Sequence, residues 1–317
     1  MEACHSPPQH NVTSYGVPAF VIVTLETFAG MWINAFIVCV LCIGWVRKKT
    51  LNSNEKILLL LGSSRFWCLC ISWIFDFLLT IFPYCLLVHP IFQLLQGAYG
   101  FFTCSNLWVS ACLSVFYCIK IANFRNRFFI YLKVKIDRIV PWLLLGSVIF
   151  SMVIGILVYS TIDKAVCKKL NFTCLGGLWK ANLRIEEHFY PMYFVIGFLH
   201  TISFMAVIFA AVFLLFSLWR HKRKMQTNSM NILSMDAHIR AMKSILSFFI
   251  MYSISFVSLI LNLAYSTNYQ NHVIFLVYLI QNAFPGVHSL ILIFSNSKLE
   301  KTLLRILSCE KCKVCMR

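Results

Sequence analysis

Three ionisable side chains, Glu26, Arg65 and Asp76, stand inside otherwise apolar stretches of the sequence. A charge in hydrocarbon costs several kcal/mol unless it is paired, so each marks a structural clamp, a relay or a ligand contact. Glu26, Gly30 and Asn34 recur at every fourth position, which puts them on one helix face with a small residue that lets another helix approach. Counted inward from opposite ends of their apolar runs, Glu26 and Arg65 each lie about 14 Å deep. They are expected to meet near the midplane as a scaffold clamp, with Asn34 nearby. A transport relay would call for further carboxylates at that depth, and the sequence has none there. Asp76 follows Arg65 by eleven residues, close to three full turns, so it points the same way about 16 Å further along. It is placed to attract a cationic ligand or to pair with a loop lysine.

Neutral polar groups extend the pattern. Tyr99, Thr103, Asn106, Ser110, Ser114 and Tyr117 form one polar stripe at helical spacing, which a lipid-facing helix would not carry. That helix is expected at the centre of a bundle. The middle of its stripe then bonds neighbouring helices, and its Tyr99 and Thr103 end is open to a ligand. Similar stripes run through Tyr252, Ser255, Ser258 and Asn262, and through Tyr278, Gln281, Asn282, Pro285 and Ser289. The stripes converge on one cavity, so Tyr252, Ser255, Tyr278 and Gln281 join Asp76, Tyr99 and Thr103 as candidate ligand contacts. His200 and His288 stand on separate helices and define no acid–base pair, and no enzyme is expected. The run Cys309-x-x-Cys312-x-x-Cys315 lacks the fourth ligand of a zinc site. Beyond a basic amphipathic segment it reads instead as a palmitoylation site. No metal and no cofactor are expected. Cys167 and Cys174 share a loop and are candidates for a disulfide, with two free thiols as the alternative.

The elements that hold these residues follow from hydropathy and charge. Of 317 residues, 60% are hydrophobic and 12% charged, against about 25% charged in soluble domains. Seven apolar runs, approximately 17–45, 57–79, 92–119, 139–160, 190–219, 244–265 and 272–296, are each long enough for a helix across the ~30 Å hydrocarbon core. A barrel would show alternating segments instead. The expected fold is an all-α membrane protein, a seven-helix bundle over 1–296 with a tail at 297–317 that carries a short amphipathic helix. A net charge of +17 would suit nucleic acid, but its distribution suits a membrane. Lys and Arg number four in 45–56, six in 117–139, six in 220–243 and six after 297. The positive-inside rule places those segments in the cytoplasm and the N-terminus outside. The segment 161–189, with five Lys and Arg, is the exception. Glycosylation signals at Asn11 and Asn171 fall on the side assigned as outside. No cleaved leader is recognisable, so the first run is expected to direct insertion.

The run Leu113-Ser114-Val115-Phe116-Tyr117-Cys118-Ile119-Lys120-Ile121-Ala122-Asn123-Phe124 resembles the third-helix signature of bitter (type 2) taste receptors. Similar to the same family are Glu26-x-x-x-Gly30-x-x-x-Asn34, Ser64-Arg65, Leu215 to His221, His238-x-x-Ala241-Met242-Lys243, Phe248 to Tyr252 and Pro285 to Leu292. Asn171 matches the outer-loop glycosylation site common in that family. The resemblance implies a G-protein-coupled receptor at the plasma membrane. Bitter small molecules would bind from outside, and a heterotrimeric G protein of the gustducin or another inhibitory class would bind inside. It implies Tyr252 as a toggle and Tyr117, Lys120, His221, His238 and Lys243 as the inner docking surface. An ordinary interfacial anchor is the alternative for Lys120, and a merely interfacial place is the alternative for His221 and His238. Ser203 stands where many members carry proline, and Tyr99 and Thr103 where tryptophan and asparagine are frequent. A vomeronasal type 1-like receptor and a small transporter are the alternative functions, although a transporter would show internal repeats and broken helices.

Overall fold

The computed structural model describes residues 16–82, 85–86, 88–121, 127–170, 195, 197–217, 219, 246–247, 249–258, 260–261 and 272–314. Asn11, Asn171, Cys174, His221, His238, Lys243 and Cys315 lie outside the described residues, as does Asn262. The described chain is all helical: α1 (Gly16–Lys48), α2 (Ser53–Ile81), α3 (Ile91–Ile121), α4 (Arg127–Leu170), α5 (Gly197–Ser217), α6 (Phe249–Ser258), α7 (His272–Ser295) and α8 (Ser297–Val314). Six of these are long and apolar enough to cross a membrane, and Phe249–Ser258 is a shorter apolar helix. Large apolar side chains such as Trp32, Val46, Trp142 and Met152 face outward, as lipid contact allows.

Helix ends extend past the apolar runs. The run at 139–160 is only the middle of α4, a 44-residue helix. Hydropathy falls where Lys133, Lys135, Asp137 and Arg138 begin, but these residues carry no penalty that would stop the backbone ladder, so the helix continues beyond the hydrocarbon. α2 likewise starts at Ser53, where Glu55 reaches back to accept from the Asn52 backbone N–H at 3.1 Å. That bond satisfies one donor that the helix itself cannot.

Small residues set the closest crossings. A methyl group built on Gly286 of α7 would come within 3.1 Å of the Gly30 Cα of α1. On α3 and α4, Gly97 and Gly155 meet so closely that a methyl on Gly155 would lie 2.9 Å from the Gly97 carbonyl oxygen. Such contacts replace the hydrophobic drive that lipid cannot supply. Ser203 of α5 donates to the Leu107 carbonyl of α3 at 3.4 Å, a bond that proline could not make. Phe204 of α5 stacks on Phe256 of α6 with ring centroids 4.2 Å apart.

One core cluster, including Ile37, Leu41, Ile57, Leu61, Leu113, Ile136 and Ile293, fills the half nearer the basic end. That end carries Arg47, Lys48, Lys120 and Lys298. There the Asn296 side chain accepts from the backbone N–H groups of Lys298 and Leu299 at 3.0 and 3.4 Å, capping α8. Leu299 is fully buried, and Lys298 Nζ pairs with Glu55 at 2.6 Å, fastening α8 to the start of α2.

Candidate functional site

Arg65 is completely buried. Its Nε donates to Asn106 Oδ1 at 2.9 Å, Nη1 to Ser289 Oγ at 2.8 Å and Nη2 to Ser110 Oγ at 3.3 Å. Nη2 also contacts His288 Nδ1. A guanidinium has no acceptor and keeps its proton, so His288 accepts at Nδ1 and carries its own hydrogen on Nε2. The Ser289 hydroxyl in turn donates to Asn34 Oδ1 at 2.8 Å, and Asn34 Nδ2 donates to the Gly30 carbonyl at 2.8 Å. α1, α2, α3 and α7 are thereby joined through one cation.

Glu26 is not among the partners of Arg65, which corrects the clamp expected from sequence. Asn34 and Arg65 do belong to one intramembrane network. The reason lies in register and rotation. Gly30 lies against Leu69 and Phe28 against Trp73, with ring centroids 5.4 Å apart. On α1, therefore, Asn34 is level with Arg65, and Glu26 lies about 12 Å further from the basic end. The strip through Glu26, Gly30 and Asn34 also faces α7, which Gly30 meets at Gly286 and Asn34 at Ser289. Equal depths counted from the ends of the apolar runs fail because the run at 17–45 would be about 43 Å long as a helix, well beyond the ~30 Å hydrocarbon core, so its end does not mark the membrane boundary.

A second polar contact lies toward the far end. The Tyr278 hydroxyl donates to Asp76 Oδ2 at 2.5 Å, and both residues are half-buried. Eleven residues separate Arg65 from Asp76 on α2, and eleven separate Tyr278 from Ser289 on α7. The two helices run antiparallel, so they are linked by two rungs about 16 Å apart. Asp76 thus points as the sequence predicts, but its partner is a tyrosine; no ion pair to it is found among the described residues. Thr103 of α3 approaches Cys68 Sγ at 3.4 Å. Tyr99, 41% exposed, lies near Thr103 and Asp76. Gln281 and Ser255 are half-buried on α7 and α6. Tyr252 is nearly fully buried and packs nearly perpendicular to the rings of Phe284 and His288, at 5.7 and 6.1 Å between centroids. It therefore belongs with the Arg65 network rather than with the Asp76–Tyr278 rung.

At the basic end, Tyr117 lies beside Asn54. Lys120 Nζ pairs with Asp137 Oδ2 of α4 at 2.8 Å, with both side chains about half exposed, and stands 5.5 Å over the Phe116 ring. Ser53 donates to the Asp137 carbonyl at 3.5 Å, so α2, α3 and α4 meet here. Cys167 lies in the last turn of α4, and Cys309 and Cys312 lie in α8. No cluster of three metal-ligating side chains occurs among the described residues.

The α3 stripe reads correctly, since Asn106 and Ser110 reach Arg65 and Thr103 reaches α2. What sequence reasoning missed is His288. Its signal is a polar pair, His288-Ser289, inside the apolar half-helix that follows Pro285.

The sequence model of the family described as Taste receptor protein (TAS2R) matches residues 13–311. Among similar proteins is taste receptor type 2 member 2 of Homo sapiens, 30% identical over 296 residues, covering 92% of this chain and 96% of that protein. Taste receptor type 2 member 7 of Macaca mulatta is 32% identical over 296 residues, covering 89% and 90%. Taste receptor type 2 member 41 of Pan troglodytes is 32% identical over 290 residues, covering 90% and 93%.

Proposed function

Because this chain belongs to the taste receptor type 2 family, whose members are multi-pass membrane receptors for bitter taste, we propose that it binds bitter small molecules outside and activates a heterotrimeric G protein inside. The agonist site lies at the far end, among Asp76, Tyr99, Thr103, Tyr278, Gln281 and Ser255. The observation that carries this reading is the Asp76–Tyr278 contact: a half-buried carboxylate held by one neutral hydroxyl. Its other oxygen suits a protonated amine, and the phenol rings of Tyr99 and Tyr278 suit the apolar body of such a ligand.

The receptor body is 1–296 and the tail 297–317. The far end is extracellular, with glycosylation at Asn11 and Asn171, and a Cys167–Cys174 disulfide is compatible with that side. The basic end is cytoplasmic at the plasma membrane, and Cys309, Cys312 and Cys315 are its palmitoylation sites. The docking surface comprises Tyr117, Lys120, His221, His238 and Lys243, and its partner is a gustducin-type or other inhibitory-class G protein. Tyr252 transmits the signal: its ring contacts with Phe284 and His288 mean that a shift of α6 repacks the side chains around Arg65. An agonist acts by binding one arrangement more tightly than the other, and equal affinity would shift nothing.

Calcium imaging of cells that express the chain with a gustatory-type G protein, challenged with a broad panel of bitter compounds including protonated amines, tests the reading. A dose-dependent response is expected. Verified surface protein with no response across the panel would overturn it.

A further inference from the structure

Four buried polar atoms in the far half of the bundle have no hydrogen-bond partner among the described residues: Thr24 Oγ1, Glu26 Oε2, Trp73 Nε1 and Asn282 Nδ2. Of these, Glu26 Oε2 on α1 is an acceptor, and Asn282 Nδ2 on α7 is a donor. α1 and α7 run parallel, Gly30 facing Gly286 and Asn34 facing Ser289. One turn back from each glycine stand Glu26 and Asn282, each rotated about 40° in the same sense, so on these parallel helices they leave the contact on opposite flanks. Register therefore brings the carboxylate and the amide to one level, one on each flank of the narrow Gly30–Gly286 crossing that their side chains have to span. Asn282 is also one turn from Tyr278 and close to its hydroxyl. That hydroxyl spends its only proton on Asp76, so its oxygen is left to accept.

We propose that Glu26 and Asn282 are paired across the α1–α7 contact, directly or through one bridging water. The second amide N–H faces the Tyr278 oxygen, so that Glu26, Asn282, Tyr278 and Asp76 form one polar chain joining α1, α7 and α2. A buried donor and a buried acceptor left apart would each cost the full desolvation of the group. Paired, they make a third α1–α7 contact above Gly30–Gly286 and Asn34–Ser289. The chain also ties the orientation of Tyr278 to the α1–α7 spacing, whatever ligand the far end takes.

The test is a double-mutant cycle on the detergent-solubilised full-length receptor, melted in the presence of a thiol-reactive dye that reports buried cysteines such as Cys104 and Cys118. Glu26→Leu and Asn282→Leu should each lower the melting temperature by roughly 3 °C or more. The double variant should melt no lower than the worse single one, because neither polar group is then stranded. Additive losses, or no loss in either single variant, overturn the pair. Should a leucine variant fail to reach the solubilised pool, the polarity exchange decides: Glu26→Gln combined with Asn282→Asp should recover at least half of the loss caused by Asn282→Asp alone, and no recovery overturns it. The link to Tyr278 is read the same way, since Tyr278→Phe and Asn282→Leu must be non-additive for the chain to stand.

Discussion

Two rungs join α2 to α7, and they are wired differently. Around Arg65 a fully buried cation meets Asn106, Ser110, Ser289 and His288, and Ser289 passes the connection on to Asn34. At the other rung a half-buried carboxylate holds one tyrosine hydroxyl. Complete burial of a charge demands many compensating bonds, because its desolvation exceeds what any single contact returns. An incoming molecule would have to displace four partners at the first rung but only one at the second. Scaffold and proposed agonist site are thus separated along the same pair of helices by about three turns. The dense rung resists change, and the sparse rung can exchange partners.

The largest expected effect strikes the dense rung. Arg65→Leu takes a donor from buried Ser110 and His288 and from half-buried Asn106, and should cost about 3–5 kcal/mol. Surface protein measured by an epitope tag should fall to near background, and normal display would break the contrast between the rungs. Next comes the crossing that aligns α1 with both. Gly286→Val puts side-chain carbon where only 3.1 Å separates a methyl from the Gly30 Cα, and the obstacle is backbone. The expected cost is about 1–3 kcal/mol, seen as a lowered melting temperature of solubilised receptor. A gentler change belongs to the sparse rung. Asp76→Asn keeps an acceptor for Tyr278, so surface protein should stay near wild type while the potency of a protonated amine agonist drops about tenfold, near 1.4 kcal/mol. Equal loss of display and potency would mean that this rung is scaffold as well. The smallest effect is expected at Lys120→Ala, which removes an ion pair with about half of each side chain exposed. Such pairs contribute about 0–1 kcal/mol, so the melting temperature should hardly move and should respond to salt even less than in wild type.

Sequence periodicity reached further in α3 than in α1. The α3 stripe is long, and it faces neighbours on several sides, so Thr103, Asn106 and Ser110 find α2 partners under any reasonable packing. The α1 strip holds only Glu26, Gly30 and Asn34, and the same strip could be turned to α2 or α7. Opposite charge favoured α2. Close contact at Gly30 and Gly286 turned it to α7, and Arg65 then took neutral partners. α4 teaches a related point about ends: hydropathy marks where lipid stops, whereas a helix stops where its backbone ladder loses support, and Arg127–Leu170 outlasts the apolar run at both ends.

The sequence alone determined that this chain is a set of membrane helices, that four basic segments fall between alternate apolar runs or after the last, and that α3, α6 and α7 carry polar stripes at helical spacing. Those properties belong to each helix separately, through its length, its charge and its 3.6-residue period. Tertiary structure alone decided which polar group meets which. Partner choice depends on the rotation and axial slide of one helix against another. Those are set by a few close contacts between small residues, because lipid tails favour no apolar face over another.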